Sequence, residues 1–95
     1  DDRMIGMIAR LQLDRIARRI ADRHEAPFSY DQAVIDLIVS RCTEVESGGR
    51  MIDALLTNTV LPSLSGEFLQ RMLVGRPLAR VHLGVEAGQF SYKFE

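Results

Sequence analysis

Tryptophan is absent from this 95-residue chain, cysteine occurs once, and histidine twice. The lone cysteine, Cys42, cannot form an internal disulfide and fits a reducing compartment. His24, His82 and Cys42 are too few and too irregularly spaced for a zinc site, so no metal centre is expected. No apolar run approaches the ~18 residues of a membrane span, and no signal-peptide pattern opens the chain, so neither membrane insertion nor export is expected. Charge of one dominant sign is missing as well: 12 basic and 13 acidic residues leave a net charge of −1, which favours neither nucleic acid nor an acidic partner. Lysine is nearly lacking, with Lys93 alone against eleven arginines, and arginine is the cation that makes planar, bidentate contacts to carboxylate or phosphate. The chain opens on Asp1-Asp2 rather than methionine, and we expect a single domain over residues 1–95 excised from a longer polypeptide.

The hydrophobic pattern is helical over most of the length. From Met4 to Arg23 the apolar positions Ile5, Ile8, Ala9, Leu13, Ile16, Ala17 and Ile20 recur at i, i+3, i+4 spacing. Met4, Met7 and Leu11 widen that face beyond one stripe, which calls for two neighbours, one of them outside this chain. Asp14 with Arg18, and Arg15 or Arg18 with Asp22, are spaced for mild surface pairing. Pro27 stops the helix before a short extended stretch; Ser29 and Gln32 stand at capping-box spacing ahead of a second helix lined by Ala33, Val34, Leu37, Ile38 and Cys42. A third helix is expected from about Arg50 to Val60, on a ridge of Met51, Ile52, Leu55, Leu56 and Val60. Pro62 ends or kinks it, and a fourth, capped by Ser63 or Ser65, runs to a stop at Gly75 with Phe68, Leu69, Met72 and Leu73 inward. The period then changes from 3.6 to 2. Ala79, Val81, Leu83 and Val85 alternate with polar positions, and beyond "EAGQ" so do Phe90, Tyr92 and Phe94, which reads as a hairpin with one buried face. The expected fold is α+β, about four helices on one side of a small, roughly three-stranded sheet ending in a C-terminal hairpin.

Chemistry is sparse. The chain has no G-x-x-x-x-G-K-[ST], no G-x-G-x-x-G, no G-x-S-x-G and no HExxH, so it carries no complete phosphate cradle of its own. Arg10, Arg15, Arg18, Arg19 and Arg23 make the first helix locally basic, but the six aromatics lie elsewhere, so we read that surface as solvated or subunit-facing. His24 suits a helix C-terminus and His82 the outward side of a strand. The exception is "EVESGGRMID", residues 44–53, which delivers Arg50 to the first turn of a helix, the wrong end of the macrodipole for a cation unless an anion meets it. Spacing alone allows an exposed arginine after a flexible turn. It equally allows an anion site in which a helix N-terminus and a bidentate donor act together on a transferring phosphoryl group, with Glu44 and Glu46 holding the arginine when the anion is absent.

"SGGR" before an apolar helix resembles the sensor-2 motif, typically Gly-Ala-Arg, of the small C-terminal (lid) subdomain in the second ATPase module of Clp-type AAA+ ATPases. "IARLQLDRIARRIADR", "FSYDQAVIDLI", "LPSLSGEFLQRMLVG" and the final hairpin extend the resemblance over essentially the whole chain, and "RCTEVESGGR" with "LLTNTVLPSLSGEFL" is most like the ClpV branch of bacterial type VI secretion. The resemblance implies that Arg50 is the sensor-2 arginine reaching the ATP γ-phosphate, that Gly48 and Gly49 form the turn that places it, and that Ile8 or Leu11 walls the adenine. Gly49 replaces the usual alanine, which implies a looser turn. ATP, with Mg supplied through the large domain, is the implied cofactor of the parent, and this chain alone is not expected to be catalytic. The implied partners are the chain's own large domain and the neighbouring subunits of a homo-hexamer in the bacterial cytoplasm. Sheath proteins are implied as partners through other domains, with no nucleic acid. The same lid in a disaggregase or protease-partner unfoldase is the alternative; a free-standing protein-interaction module is one of another class.

Overall fold

The structure, a computed structural model, describes residues 2–42 and 48–95. Helix α1 (Asp2–His24) buries Ile5, Ala9, Leu13, Ile16 and Ile20, one stripe at the spacing the sequence anticipates. Strand β1 (Phe28–Tyr30) leads into α2 (Gln32–Arg41), whose buried side is Val34, Ile35 and Ile38. Ala33 faces solvent instead and Leu37 is half-buried: the face turned to the core is centred on Val34, Ile35 and Ile38. Gly6 lies at the crossing of α1 and α2, where a Cβ would make ordinary van der Waals contact with Ile35 at 3.6 Å, so the crossing does not itself require glycine.

Residues 48–74 form one continuous helical body, α3, built of an α-helical segment Gly48–Leu55, a π-helical turn Leu56–Val60 and a second α-helical segment Leu61–Val74. Among the described residues the fold therefore has three helices rather than about four. Proline lacks an N–H and its ring crowds the carbonyl one turn back, which breaks a regular α-helix. Here the turn before Pro62 widens instead, so that the Leu61 N–H reaches back to the Leu56 carbonyl. Side-chain hydroxyls serve the loosened carbonyls: Ser63 donates to Thr59 O at 3.2 Å, Tyr92 donates to the same oxygen at 3.5 Å, and Thr59 donates to Leu55 O. Ser63 is thus a mid-helix donor and not a cap. The helix stops at Gly75, in the left-handed conformation at φ 69°, as expected. Leu64 and Phe68 face inward from its second half, whereas Leu69, Met72 and Leu73 are 58, 70 and 78% exposed, contrary to the inward placement inferred from periodicity.

Strands β2 (Val81–Glu86) and β3 (Gln89–Phe94) complete a sheet of order β1-β2-β3, with β1 parallel and β3 antiparallel to β2. The register places Phe28, Val81 and Phe94, then Tyr30, Leu83 and Tyr92, then Val85 and Phe90, on one face. That face meets the helices: Tyr30 donates to Asp14 on α1 at 3.0 Å and the Arg41 guanidinium lies over the Phe90 ring. Val81 and Leu83 are buried, and the aromatic row packs half-buried at the core's edge. The opposite face is polar. His82 Nε2 bonds Asp31 Oδ1 at 2.8 Å, and its Nδ1 bonds the Ser29 hydroxyl at 2.6 Å. Because an ionised carboxylate only accepts, the neutral ring donates from Nε2 and accepts from Ser29. Asp31 occupies the N-cap position of α2 without a side-chain capping bond, so the anticipated Ser29–Gln32 capping box is not formed; both serine and aspartate are committed to His82.

The β2–β3 turn has positive φ at both central residues, Ala87 at 53° and Gly88 at 75°. This is the type I′ geometry that suits the twist of a hairpin but strains any residue with a Cβ, by roughly 1 kcal/mol. Replacing Ala87 by Asn, which tolerates this conformation, is expected to raise stability by about 0.5–1 kcal/mol, read as a higher urea midpoint at unchanged slope. Burial pushes the Cys42 thiol up against an opposing pull from Arg41. Less thiolate and no access predict that maleimide labelling at pH 8 is at least about tenfold slower in the native chain than in urea.

Candidate functional site

The N-terminal segment of α3 lies along α1, anchored by Ile52 and Leu56, both in the core. This packing brings the Gly48-Gly49-Arg50 turn alongside the middle of α1, where the Gln12 side-chain amide donates to the Gly49 carbonyl at 3.3 Å. Between the two helices runs a groove of about 690 Å³, lined by Gln12, Arg15 and Arg19 of α1 and by Gly49, Arg50 and Asp53 of α3, with apolar side chains at its floor. Among the described residues three arginines and one carboxylate, Asp53, line this groove, and Arg50 stands at the N-terminus of a helix, where the first N–H groups already favour an anion.

Among the described residues none of these three guanidiniums has an ion-pair partner. Elsewhere Arg71 and Arg80 pair with Glu67 and Glu95, Arg10 donates to Gln32, and Arg41 donates to Gly88 O. Glu44 and Glu46, anticipated as holders of Arg50, lie outside the described residues. Like-charged arginines at i, i+4 repel mildly, so Arg15 and Arg19 gain if a negative group enters the groove.

Of the residues singled out in the sequence, Arg50 and Gly49 line this groove, with Gly48 at the start of the same turn. Ile8 does not line it; half-buried against the core, it lies one helical turn from Gln12 on the same side of α1. Leu11 is 55% exposed and belongs with Met4 and Met7 to the outer apolar strip of α1. Gln12, Arg15 and Arg19 were not anticipated as groove residues. Their i, i+3, i+7 spacing does put them on one face, but which element faces them is a matter of tertiary packing. His24 ends α1 and stacks on Phe68 with ring centroids 3.8 Å apart, away from the groove.

Gly49 is helical with no positive φ, and a Cβ placed on it would meet nothing within 4 Å. Alanine therefore fits, and the turn does not require glycine at this position. Gly49→Ala is expected to stabilise the fold by about 0.5–1 kcal/mol through reduced unfolded-state freedom, measured by urea denaturation.

The chain belongs to the family of the C-terminal, D2-small domain of ClpB protein, whose family model it matches over residues 1–82. It is 59% identical over 93 residues to the AAA+ ATPase ClpV1 of Pseudomonas aeruginosa, covering 98% of this chain. It is 38% identical over 64 residues, 67% of this chain, to the chaperone protein ClpB of Yersinia enterocolitica. The matched regions amount to 10% and 7% of those two proteins, so the chain spans about a tenth of the length of either. The family match ends within β2, whereas the similarity to ClpV1 continues into β3. The α+β architecture and the relatives together define a C-terminal small domain of a ClpB/ClpV-type AAA+ ATPase.

Proposed function

We propose that this domain is the lid over the nucleotide site in the second ATPase module of a ClpV-like motor, with Arg50 as its sensor-2 arginine. The observation that carries the reading is the position of Arg50: in the first turn of a helix, on a groove shared with Arg15 and Arg19, among described residues that offer it no ion-pair partner. Such a groove fits one end of a nucleoside triphosphate. The sequence carries no glycine-rich phosphate loop, and among the described residues the groove holds a single carboxylate, so the loop and the Mg ligands belong to the large domain. ATP bound there supplies the hydrolysable phosphoanhydride. Gly48 and Gly49 form the turn, and Arg50 stabilises negative charge on the γ-phosphate of the same subunit. Ile8, on the side of α1 that carries Gln12, is better placed than Leu11 to wall the adenine.

The exposed apolar residues of α1 (Met7, Leu11) and of the end of α3 (Leu69, Met72, Leu73, Val74) support docking on the large domain of the same chain and on neighbouring subunits of a hexamer. Identity to ClpV1 over nearly the whole chain favours the secretion branch, in which the motor disassembles the contracted type VI sheath, over a disaggregase. In the full-length parent, Arg50→Ala is expected to lower ATP turnover about 100-fold, the usual scale for removing one preorganised charge-stabilising donor, and to abolish release of subunits from purified contracted sheaths. Turnover at the unsubstituted rate overturns the assignment of Arg50. Normal turnover stimulated by aggregates but not by sheaths places the parent with the disaggregases.

A further inference from the structure

A guanidinium is useful to a transferring phosphoryl group only if its backbone is held still, and the turn that carries Arg50 has little of its own to hold it. Gly48 and Gly49 have no side chains, and the space beside Gly49 is open to at least 4 Å. The nearest packed anchor on α3 is Met51, half-buried against the core and next to Arg50, backed by the fully buried Ile52. Two glycines ahead of that anchor leave the first turn free to fray.

We infer that Gln12 is a positioning residue for Arg50. Its amide reaches the Gly49 carbonyl from α1, 37 residues away in sequence, and among the described residues it is the side chain of another element that hydrogen-bonds this turn. A helical carbonyl keeps a second lone pair after its intrahelical bond, so Gln12 takes nothing from the helix. The half-buried Gln12 sits beside the core stripe formed by Ile16 and Leu13, on a helix fixed by five buried residues, and therefore transmits the rigidity of α1 to the turn. In this role Gln12 acts through the Gly49 carbonyl and sets the orientation from which Arg50 enters the groove. The inference rests on the reading of Arg50 as the anion-contacting arginine.

The test is steady-state ATP hydrolysis by the full-length ATPase carrying Gln12→Met, which keeps length and helix propensity but cannot donate, with Gln12→Lys, Arg50→Ala and the Gln12→Met/Arg50→Ala double variant beside it. Loss of one side-chain hydrogen bond predicts that Gln12→Met lowers kcat about 3–10-fold with KM for ATP within about twofold. Gln12→Lys, which keeps a donor, restores most of the loss. In the Arg50→Ala background Gln12→Met has no further effect, because the two act as one unit. A full kcat in Gln12→Met beside a crippled Arg50→Ala overturns the role of Gln12 alone, as does a double variant whose losses multiply. An unimpaired Arg50→Ala overturns the reading of Arg50 itself. Should Gln12→Met fail to assemble, Gln12→Leu, likewise neutral and without a donor, is measured in its place against the same outcomes.

Discussion

Everything in this domain depends on the burial of one stripe of α1. Ile5, Ala9, Leu13, Ile16 and Ile20 supply the surface against which α2 and the first half of α3 pack, and the sheet closes the same core through Val81 and Leu83. Each of these side chains contributes on the order of 1.5–3 kcal/mol when fully buried, less for alanine, so the stripe outweighs any polar contact in the structure. The groove is a by-product of that packing. Gln12, Arg15 and Arg19 run along one edge of the stripe and line the groove together with Gly49 and Arg50 at the start of α3. Two helices packed through apolar side chains thus leave polar and charged groups along the rim between them.

The π-helical turn belongs to the same economy. By widening ahead of Pro62 it lets residues 48–74 run on as one helical body, from Arg50 in its first turn to the exposed apolar residues Leu73 and Val74 at its end. The hydroxyls of Thr59, Ser63 and Tyr92 make the irregular turn tolerable by serving its carbonyls. The sheet is similarly one-sided: apolar residues face the helices, and His82 ties Ser29 and Asp31 together across the outer face, joining the short parallel pair where the ladder is only three residues long.

Much of this was legible from periodicity. The buried stripe of α1, the single apolar face of the hairpin and the stop at Gly75 all follow from spacings of 3.6 and 2 and from the one residue that enters the left-handed region cheaply. The errors share a cause. Leu69, Met72 and Leu73 have inward-looking spacing, yet they are exposed, because an apolar face marks where a helix seeks a partner and not whether that partner lies within the same chain. Ser29 and Gln32 have capping-box spacing, yet a histidine 53 residues beyond Ser29 competes successfully for the serine and for Asp31. Pro62 reads as ending or kinking the helix because the α-helical hydrogen-bond pattern cannot accommodate it, and no local propensity announces a π turn.

The sequence by itself determined most of the elements, the buried stripe of α1 and the presence of a cation at the start of a helix, since these depend on local geometry and on the side chains' own chemistry. It also marked "SGGR" as the segment to watch. Only the tertiary structure decided that Arg15 and Arg19 share a groove with Arg50, that Gln12 reaches the Gly49 carbonyl, and that Gly49 has room for a Cβ. Those facts depend on how two helices 37 residues apart in sequence are rotated against each other, and that rotation is set by the shape of the core between them.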